Sequence, residues 1–114
     1  GGIAMGVSDT RNETAAAQLA AGVASYALGV NSTEILEPAR GSARAAFARQ
    51  VAMYLCHVAF ELSLSRVAQA FGRDRSTVAH ACHTIEDRRD EESFDAWIDA
   101  LEGMLRGAPA PMVQ

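Results

Sequence analysis

Residues 71–86 constrain the fold of this chain more than any other segment, because they combine a glycine turn with a regular helical pattern. Gly72 supplies a backbone conformation that other residues avoid, and Asp74 is placed to cap a helix by accepting backbone N–H bonds. Apolar residues then recur at helical spacing on one face: Val78, Ala81, Cys82 and Ile85. The opposite face carries small or hydrogen-bonding side chains: Ser76, Ala79, His80 and His83. Such a helix is suited to close contact with another surface.

The preceding residues, 63–71, have the pattern of a second and shorter amphipathic helix. Ser63 is its predicted N-cap, and Leu64, Val67, Ala68 and Phe71 fall on one side. Helix, glycine turn and helix make up the helix-turn-helix, whose second helix enters the major groove of DNA. An ordinary helical hairpin in a small bundle has the same pattern, so the residues alone leave both interpretations open.

The segment FGRDRSTVAHACHTIE resembles the C-terminal DNA-binding domain (domain IV) of the bacterial replication initiator DnaA family, where the pattern runs roughly G-G-R-D-H-[ST]-T-V-x-H-A. The likeness continues upstream through residues 48–55 and 62–64 and back to 23–26 and 35–36, so that it covers roughly residues 18–106. The resemblance implies an all-α fold: a small bundle of about six helices that contains a helix-turn-helix and is similar to the Trp repressor.

Three departures from the family pattern bear on what such a domain would recognise. The turn has one glycine, Gly72, where the family has two, which predicts a changed entry angle for the following helix. Arg75 stands where the family usually has histidine, and a guanidinium favours guanine O6 and N7. The loop at residues 38–44 has only two cations, which predicts weaker anchoring in the minor groove.

The family pattern and the helical wheel together imply a set of DNA contacts. The residues expected to contact bases in the major groove are Asp74, Arg75, Ser76 and Thr77. The residues expected to contact the DNA backbone are Arg49, Gln50, His57, Arg73 and His80. The minor-groove candidates are Arg40 and Arg44. For any single exposed arginine, a solvated surface charge is the competing interpretation.

Charge is distributed unevenly along the 114 residues, whose net charge is −4. Residues 1–39 carry −3 and residues 90–114 carry −5, whereas residues 40–89 carry +4. The predicted DNA-binding unit is therefore the only basic part of the chain. We expect the acidic flanks to weaken non-specific DNA binding, which depends mainly on phosphate electrostatics.

Helix signals indicate one domain over residues 10–106, preceded by a flexible N-terminus or cloning remnant at 1–9 and followed by a disordered tail at 107–114. A capping box at residues 10–13 opens a helix that runs through Leu19, Val23 and Tyr26 and stops at Gly29. A second cap at residues 31–34 opens a short helix that ends before Pro38. A long helix at about 43–59 places one set of residues on its buried side: Phe47, Val51, Tyr54, Leu55 and Val58.

The last predicted helix, capped by Asp90 or Ser93, has two interpretations. Its apolar residues are Phe94, Trp97, Ile98, Leu101, Met104 and Leu105. We favour a helix that closes the core around Trp97, as single amphipathic helices in small domains usually do. The alternative is a partner surface, whose acidic neighbours would repel DNA and leave it open to RNA polymerase or another regulator.

Catalytic, metal and cofactor sites find little support in the sequence, so we expect no enzyme activity and no cofactor. Cys56 and Cys82 lack the paired spacing of a zinc site and are expected to be small core residues. His80 and His83 share a helix face, but no further ligand is evident. The absence of a long apolar stretch and of a secretory leader predicts a cytoplasmic protein that contacts no membrane, and the expected DNA binding makes it nucleoid-associated. Without a phosphate-binding loop, we expect that the chain cannot itself run ATP-driven assembly.

Three functions remain open at this point. The preferred hypothesis is a freestanding transcription regulator that binds double-stranded DNA, for example an activator of a phage-like or gene-transfer-agent operon. The first alternative is the origin-box-binding domain of a replication initiator. The second alternative is a protein-interaction module that has kept the fold and lost DNA binding, which the acidic ends make conceivable.

Overall fold

The computed structural model describes residues 2–37 and 42–107, with side chains described from residue 12 onward. These ranges form six helices and contain no strand. The helices are α1 (Gly2–Leu28), α2 (Ser32–Leu36), α3 (Ala43–Ala59), α4 (Leu64–Phe71), α5 (Arg75–Arg88) and α6 (Glu92–Arg106). The predicted all-α bundle is confirmed. Within the described ranges, none of the helices combines the length and the apolar character that crossing a membrane requires. The predicted tail beyond residue 107 lies outside the described residues.

Several helix boundaries follow from the local signals in the sequence. The Ser63 hydroxyl accepts a hydrogen bond of 3.2 Å from the backbone N–H of Arg66 and caps α4. Asn31 caps α2 by accepting from the backbone N–H of Thr33 at 2.9 Å. Gly29 and Gly72 end α1 and α4 in left-handed backbone conformations, with φ of 67° and 64°. Left-handed backbone is strained for residues with a Cβ atom, so each glycine sets the direction in which the chain leaves its helix.

Two predicted caps differ from the structure. The first helix begins at Gly2, so the capping box predicted at residues 10–13 lies inside α1 rather than at its start. The N-cap of α6 is Glu91, not Asp90 or Ser93, and its side chain makes no capping hydrogen bond. Because residues 90–93 are all exposed, water can satisfy the first backbone N–H groups of α6, and no capping side chain is required.

Helices α1 and α3 form the most extensive helix pair in the bundle, and both bury several alanine residues. The buried alanines on the two helices are Ala16, Ala17, Ala20, Ala21, Ala24, Ala45, Ala48 and Ala52. The larger residues that mark α1 in the sequence lie outside this contact, since Leu19 is 36% exposed and Tyr26 is 82% exposed. Small side chains let the two helix backbones approach closely, and the alanine stripe therefore occupies the core side of α1.

The last helix packs against α3 and α1 and closes the core, as the favoured interpretation predicted. Trp97 is half-buried and stacks on Phe47 of α3 at 6.4 Å between ring centroids, with the rings 11° from parallel. Phe94 completes this aromatic cluster at 5.6 Å from Trp97. Among the apolar residues of α6, Met104 differs from expectation because it is exposed.

Candidate nucleic-acid interface

Helices α4 and α5 form the predicted helix-turn-helix, joined by the three-residue turn at residues 72–74. The inner face of α5 packs on α3 and α4 through Val78, Ala81 and Ile85, which are buried, while Cys82 is half-buried. The outer face is open to solvent at Arg75, Ser76, His80 and His83, and half-open at Thr77 and Ala79. The core contacts of α5 thus turn its polar N-terminal side outward.

Asp74 occupies the N-cap position of α5 with extended backbone (φ −70°, ψ 150°), but its carboxylate makes no capping hydrogen bond. The predicted capping role of this side chain is therefore wrong. The backbone carbonyl of Asp74 accepts the first helical bond, from the N–H of Val78 at 3.2 Å. Asp74 and the adjoining helix residues Arg75 and Ser76 are exposed, so water can satisfy the first backbone N–H groups, and the carboxylate remains at the surface.

The four predicted base-contact residues, 74–77, lie side by side at the N-terminal end of α5. Arg75 is exposed and makes no hydrogen bond or ion pair with the described part of the chain. Further along the helix, His83 faces Asp87 at 3.5 Å between Nε2 and a carboxylate oxygen. The N-terminal turn of α5 therefore presents a guanidinium, a carboxylate and hydroxyl groups that other protein side chains do not occupy.

Arg49, one of the predicted backbone contacts, is tied to α2 in the structure. Its Nε donates to the carbonyl of Ile35 at 2.8 Å, and one terminal nitrogen donates to the carbonyls of Glu34 and Glu37 at 2.6 and 3.0 Å. Burial lowers the pKa of Arg49, and repulsion by Arg73 in the turn of the helix-turn-helix lowers it further. The Arg49 guanidinium is thus bound to the end of α2.

The other predicted contacts differ in how exposed they are. His57 is half-buried, and its Nδ1 donates to the carbonyl of Leu62 at 2.6 Å, just before α4. Gln50 and Arg73 are also half-buried, whereas His80 is exposed. Arg44 is exposed in the first turn of α3, and Arg40 lies outside the described residues. The contact roles assigned to these residues stay predictions.

Besides Arg49, three arginines of the basic central segment have acidic or aromatic partners within the domain. Arg66 of α4 pairs with Glu13 of α1 at 2.5 Å, and Glu13 is buried. Arg89 pairs with Asp95 of α6 at 2.6 Å. The guanidinium carbon of Arg88 lies 4.2 Å from the ring centroid of Phe94, a cation–π contact. The formal charge of +4 on residues 40–89 therefore overstates the positive charge that a ligand would meet.

The two cysteines are free thiols. Cys56 is buried in α3, and its burial raises its pKa to about 12. Burial likewise raises the pKa of Cys82 to about 11. Both thiols stay protonated at neutral pH and pack as small apolar groups, as the sequence predicted for them.

Comparison with known proteins places this geometry in a family. The family model described as "Bacterial dnaA protein helix-turn-helix" matches residues 18–85. The chromosomal replication initiator protein DnaA of Lachnoclostridium phytofermentans is 34% identical over 105 residues, which is 90% of this chain and 23% of that protein. The chromosomal replication initiator protein DnaA 2 of Chlamydia trachomatis is 41% identical over 62 residues, which is 52% of this chain and 14% of that protein.

A solved structure agrees with these sequence matches. A crystal structure of a DNA replication initiation factor superimposes with a TM-score of 0.74 at 30% identity, over 84% of this chain and 30% of that one. The chain thus spans less than a third of the length of each of these three relatives. The helix-turn-helix at residues 64–88 and the family match over it lead to one conclusion: the chain belongs to the DNA-binding helix-turn-helix domains of the bacterial DnaA family.

Proposed function

We propose that this chain binds double-stranded DNA sequence-specifically, as the origin-box-binding domain of a replication initiator. The observation that carries the proposal is the exposed N-terminal turn of α5. Its polar side chains make no hydrogen bond or ion pair with the described part of the chain. In helix-turn-helix proteins, this part of the second helix contacts base edges in the major groove. Membership of the DnaA family supports the same geometry here.

The proposal assigns two roles to residues of the interface: contacts to bases and contacts to the DNA backbone. Arg75 donates two hydrogen bonds to guanine O6 and N7, while Asp74 accepts from the amino group of cytosine, and Ser76 and Thr77 contact neighbouring bases. Backbone contacts come from the exposed His80 and from Arg73 in the turn, and they set affinity rather than sequence preference. Arg44 at the start of α3 approaches the phosphates or the minor groove.

The residues alone favoured a freestanding transcription regulator, whereas the matched relatives favour the replication alternative. The matched relatives are named as chromosomal replication initiators, and the matched structure is a DNA replication initiation factor. Arg75 replaces the usual histidine of the family pattern and predicts a different bound sequence. A transcription regulator with its own operator is therefore the second candidate. The two candidates share the DNA-binding mode and differ in the sequence that is bound.

Fluorescence anisotropy with labelled duplexes tests the proposal. Duplexes selected from a random pool should bind more tightly than their scrambled versions. With roughly four phosphate contacts, log K should fall against log salt with a slope of about −3 to −4. A flat salt response without sequence preference would contradict DNA binding and favour a protein-interaction module. A selected consensus that recurs as clustered copies at a replication origin supports the initiator role, whereas one that occurs singly before genes supports the regulator.

A further inference from the structure

Arg49 of α3 holds the C-terminal end of α2 by donating to three of its backbone carbonyls. The acceptors belong to Glu34, Ile35 and Glu37, at distances between 2.6 and 3.0 Å. The last carbonyls of a helix have no partner within the helix, and they attract cations through the helix dipole. The three bonds use three of the five N–H groups of the guanidinium, so this contact is the main engagement of the side chain.

Helix α2 depends on such an outside anchor because it is only five residues long. Helices shorter than about 12 residues are marginal on their own in water. Ile35 is the only fully buried side chain of α2, and the half-buried Leu36 packs against the core beside it. The three hydrogen bonds from Arg49 hold the C-terminal end of α2 in place, and they determine where the chain leaves this helix.

The anchored end of α2 precedes, along the chain, a helix that the proposed function places on DNA. Five residues after Glu37, the hydroxyl of Ser42 caps α3 by accepting from the N–H of Ala45 at 3.1 Å. Arg44 then lies exposed in the first turn of α3. Because Arg49 also belongs to α3, its bonds fix the end of α2 against the helix that carries Arg44.

We infer that Arg49 is a positioning residue of the DNA interface: it fixes the end of α2 against α3, the helix that carries Arg44, through backbone carbonyls, rather than by contacting a phosphate. This inference rests on the proposed function. A guanidinium is planar and can donate to several carbonyls at once from a fixed fork, whereas lysine presents one compact, strongly hydrated charge. A lysine at this position keeps the charge that a phosphate contact needs and loses the geometry that the anchor needs.

The test compares Arg49→Lys and Arg49→Ala with the matched pair Arg44→Lys and Arg44→Ala on the same helix. Binding to a selected duplex is measured by anisotropy well below the melting midpoint of each variant, with circular dichroism confirming the helix content. We expect both Arg49 variants to lose about tenfold or more in affinity. Arg44→Lys keeps the positive charge of its proposed contact and should lose less affinity than Arg44→Ala. Arg44→Ala should lower the salt slope by about one unit.

Amide exchange measured without DNA tests the anchor itself. The N–H of Glu37 donates to the carbonyl of Thr33 at 2.9 Å, and it should exchange at least tenfold faster in Arg49→Lys than in the wild type or in Arg44→Lys. Unchanged exchange in Arg49→Lys would overturn the inference whether or not the chain binds DNA.

The binding results distinguish a positioning role of Arg49 from a phosphate contact and from a merely structural role. Wild-type affinity of Arg49→Lys beside weak binding of Arg49→Ala would show a phosphate contact and overturn the inference. Lowered melting midpoints with unchanged affinity in both Arg49 variants would show a merely structural role and overturn it as well. A wild-type chain that binds no duplex contradicts the proposed function, and this is seen before any variant is compared.

Discussion

Arg89, at the C-terminal end of α5, donates a hydrogen bond of 2.9 Å to the hydroxyl of Tyr54 in α3. Tyr54 donates onward to the carboxylate of Glu86 at 2.7 Å. Carboxylates of α6 surround the same guanidinium: Asp95 at 2.6 Å, Asp99 at 3.4 Å and Glu102 at 3.7 Å. This cluster joins the C-terminal end of α5 to α3 and α6. Acidic residues of α6 therefore form ion pairs within the domain.

Arg89→Met should destabilise the domain without changing its phosphate contacts. The substitution leaves the Tyr54 hydroxyl without its donor and several carboxylates without their cation, which should cost on the order of 2 kcal/mol because the cluster is partly exposed. Urea denaturation measures that cost. The slope of log K against log salt should stay as in the wild type, since Arg89 faces α6 rather than DNA; a slope lowered by about one unit would contradict this assignment.

Alkaline pH should destabilise the domain through the buried Tyr54 and Cys56 and the half-buried Cys82. Burial and then the hydrogen bond to Glu86 raise the pKa of Tyr54 to about 12, and burial raises the pKa of Cys56 and of Cys82. Between the unfolded and folded pKa values, the unfolded chain loses protons that the folded chain keeps, so stability falls as pH rises. Denaturation midpoints should therefore be constant up to about pH 8.5 and should decline from there toward pH 12.

Tyr54→Phe is the matched control for the tyrosine part of this effect. It should cost about 1 to 2 kcal/mol at neutral pH, because Glu86 and Arg89 each lose a hydrogen-bond partner. Between pH 10 and pH 12 its stability should decline less steeply than that of the wild type, since only the thiols still titrate there. Parallel curves for the two proteins across that window would show that Tyr54 keeps an ordinary pKa.

The ion pair between the buried Glu13 and the partly exposed Arg66 should show coupling between α1 and α4. Arg66→Met leaves a buried carboxylate without this cation and should cost about 3 kcal/mol in the free energy of unfolding. The double variant Glu13→Gln with Arg66→Met should be more stable than Arg66→Met alone, since no carboxylate is then left buried. Additive losses in a double-mutant cycle would show that the pair is not coupled.

Trp97→Ala tests the aromatic contact that closes the core. Loss of the ring from the stack with Phe47 and Phe94 should cost on the order of 3 kcal/mol. Thermal melting measures the change, with Met104→Ala as the control on the exposed side of the same helix. An unchanged midpoint for Trp97→Ala would show that α6 does not close the core through this residue.

The sequence predicted the helix-turn-helix closely because its signals are local. Ser63 and Gly72 mark the boundaries of α4 through capping and left-handed backbone, and neither depends on distant residues. The apolar face of α5 likewise follows from the spacing of Val78, Ala81 and Ile85. Signals between residues close in sequence were therefore sufficient to predict the helix-turn-helix that is proposed to bind DNA.

Contacts between distant parts of the chain could not be predicted in this way. Glu13 and Arg66 lie 53 positions apart, and no pattern pairs them. Tyr26 is apolar enough to suggest burial, yet the alanine stripe of α1 takes the core side and leaves Tyr26 exposed. Arg49 carries the residue type of a phosphate contact, and only the folded position of α2 shows the carbonyls to which it donates. The net charge of a segment does not show which of its arginines have partners inside the fold.

Arg75 provides the most direct test of the account, because it is exposed at the start of the recognition helix and makes no contact with the described core. Affinities of the wild type, Arg75→Ala and Arg44→Ala are measured against a panel of single-base variants of one selected duplex. Arg75→Ala should lose about 1 to 3 kcal/mol of discrimination at one base pair, whereas Arg44→Ala should weaken binding to all variants alike. Indistinguishable profiles for the two variants would contradict base recognition by the N-terminal turn of α5.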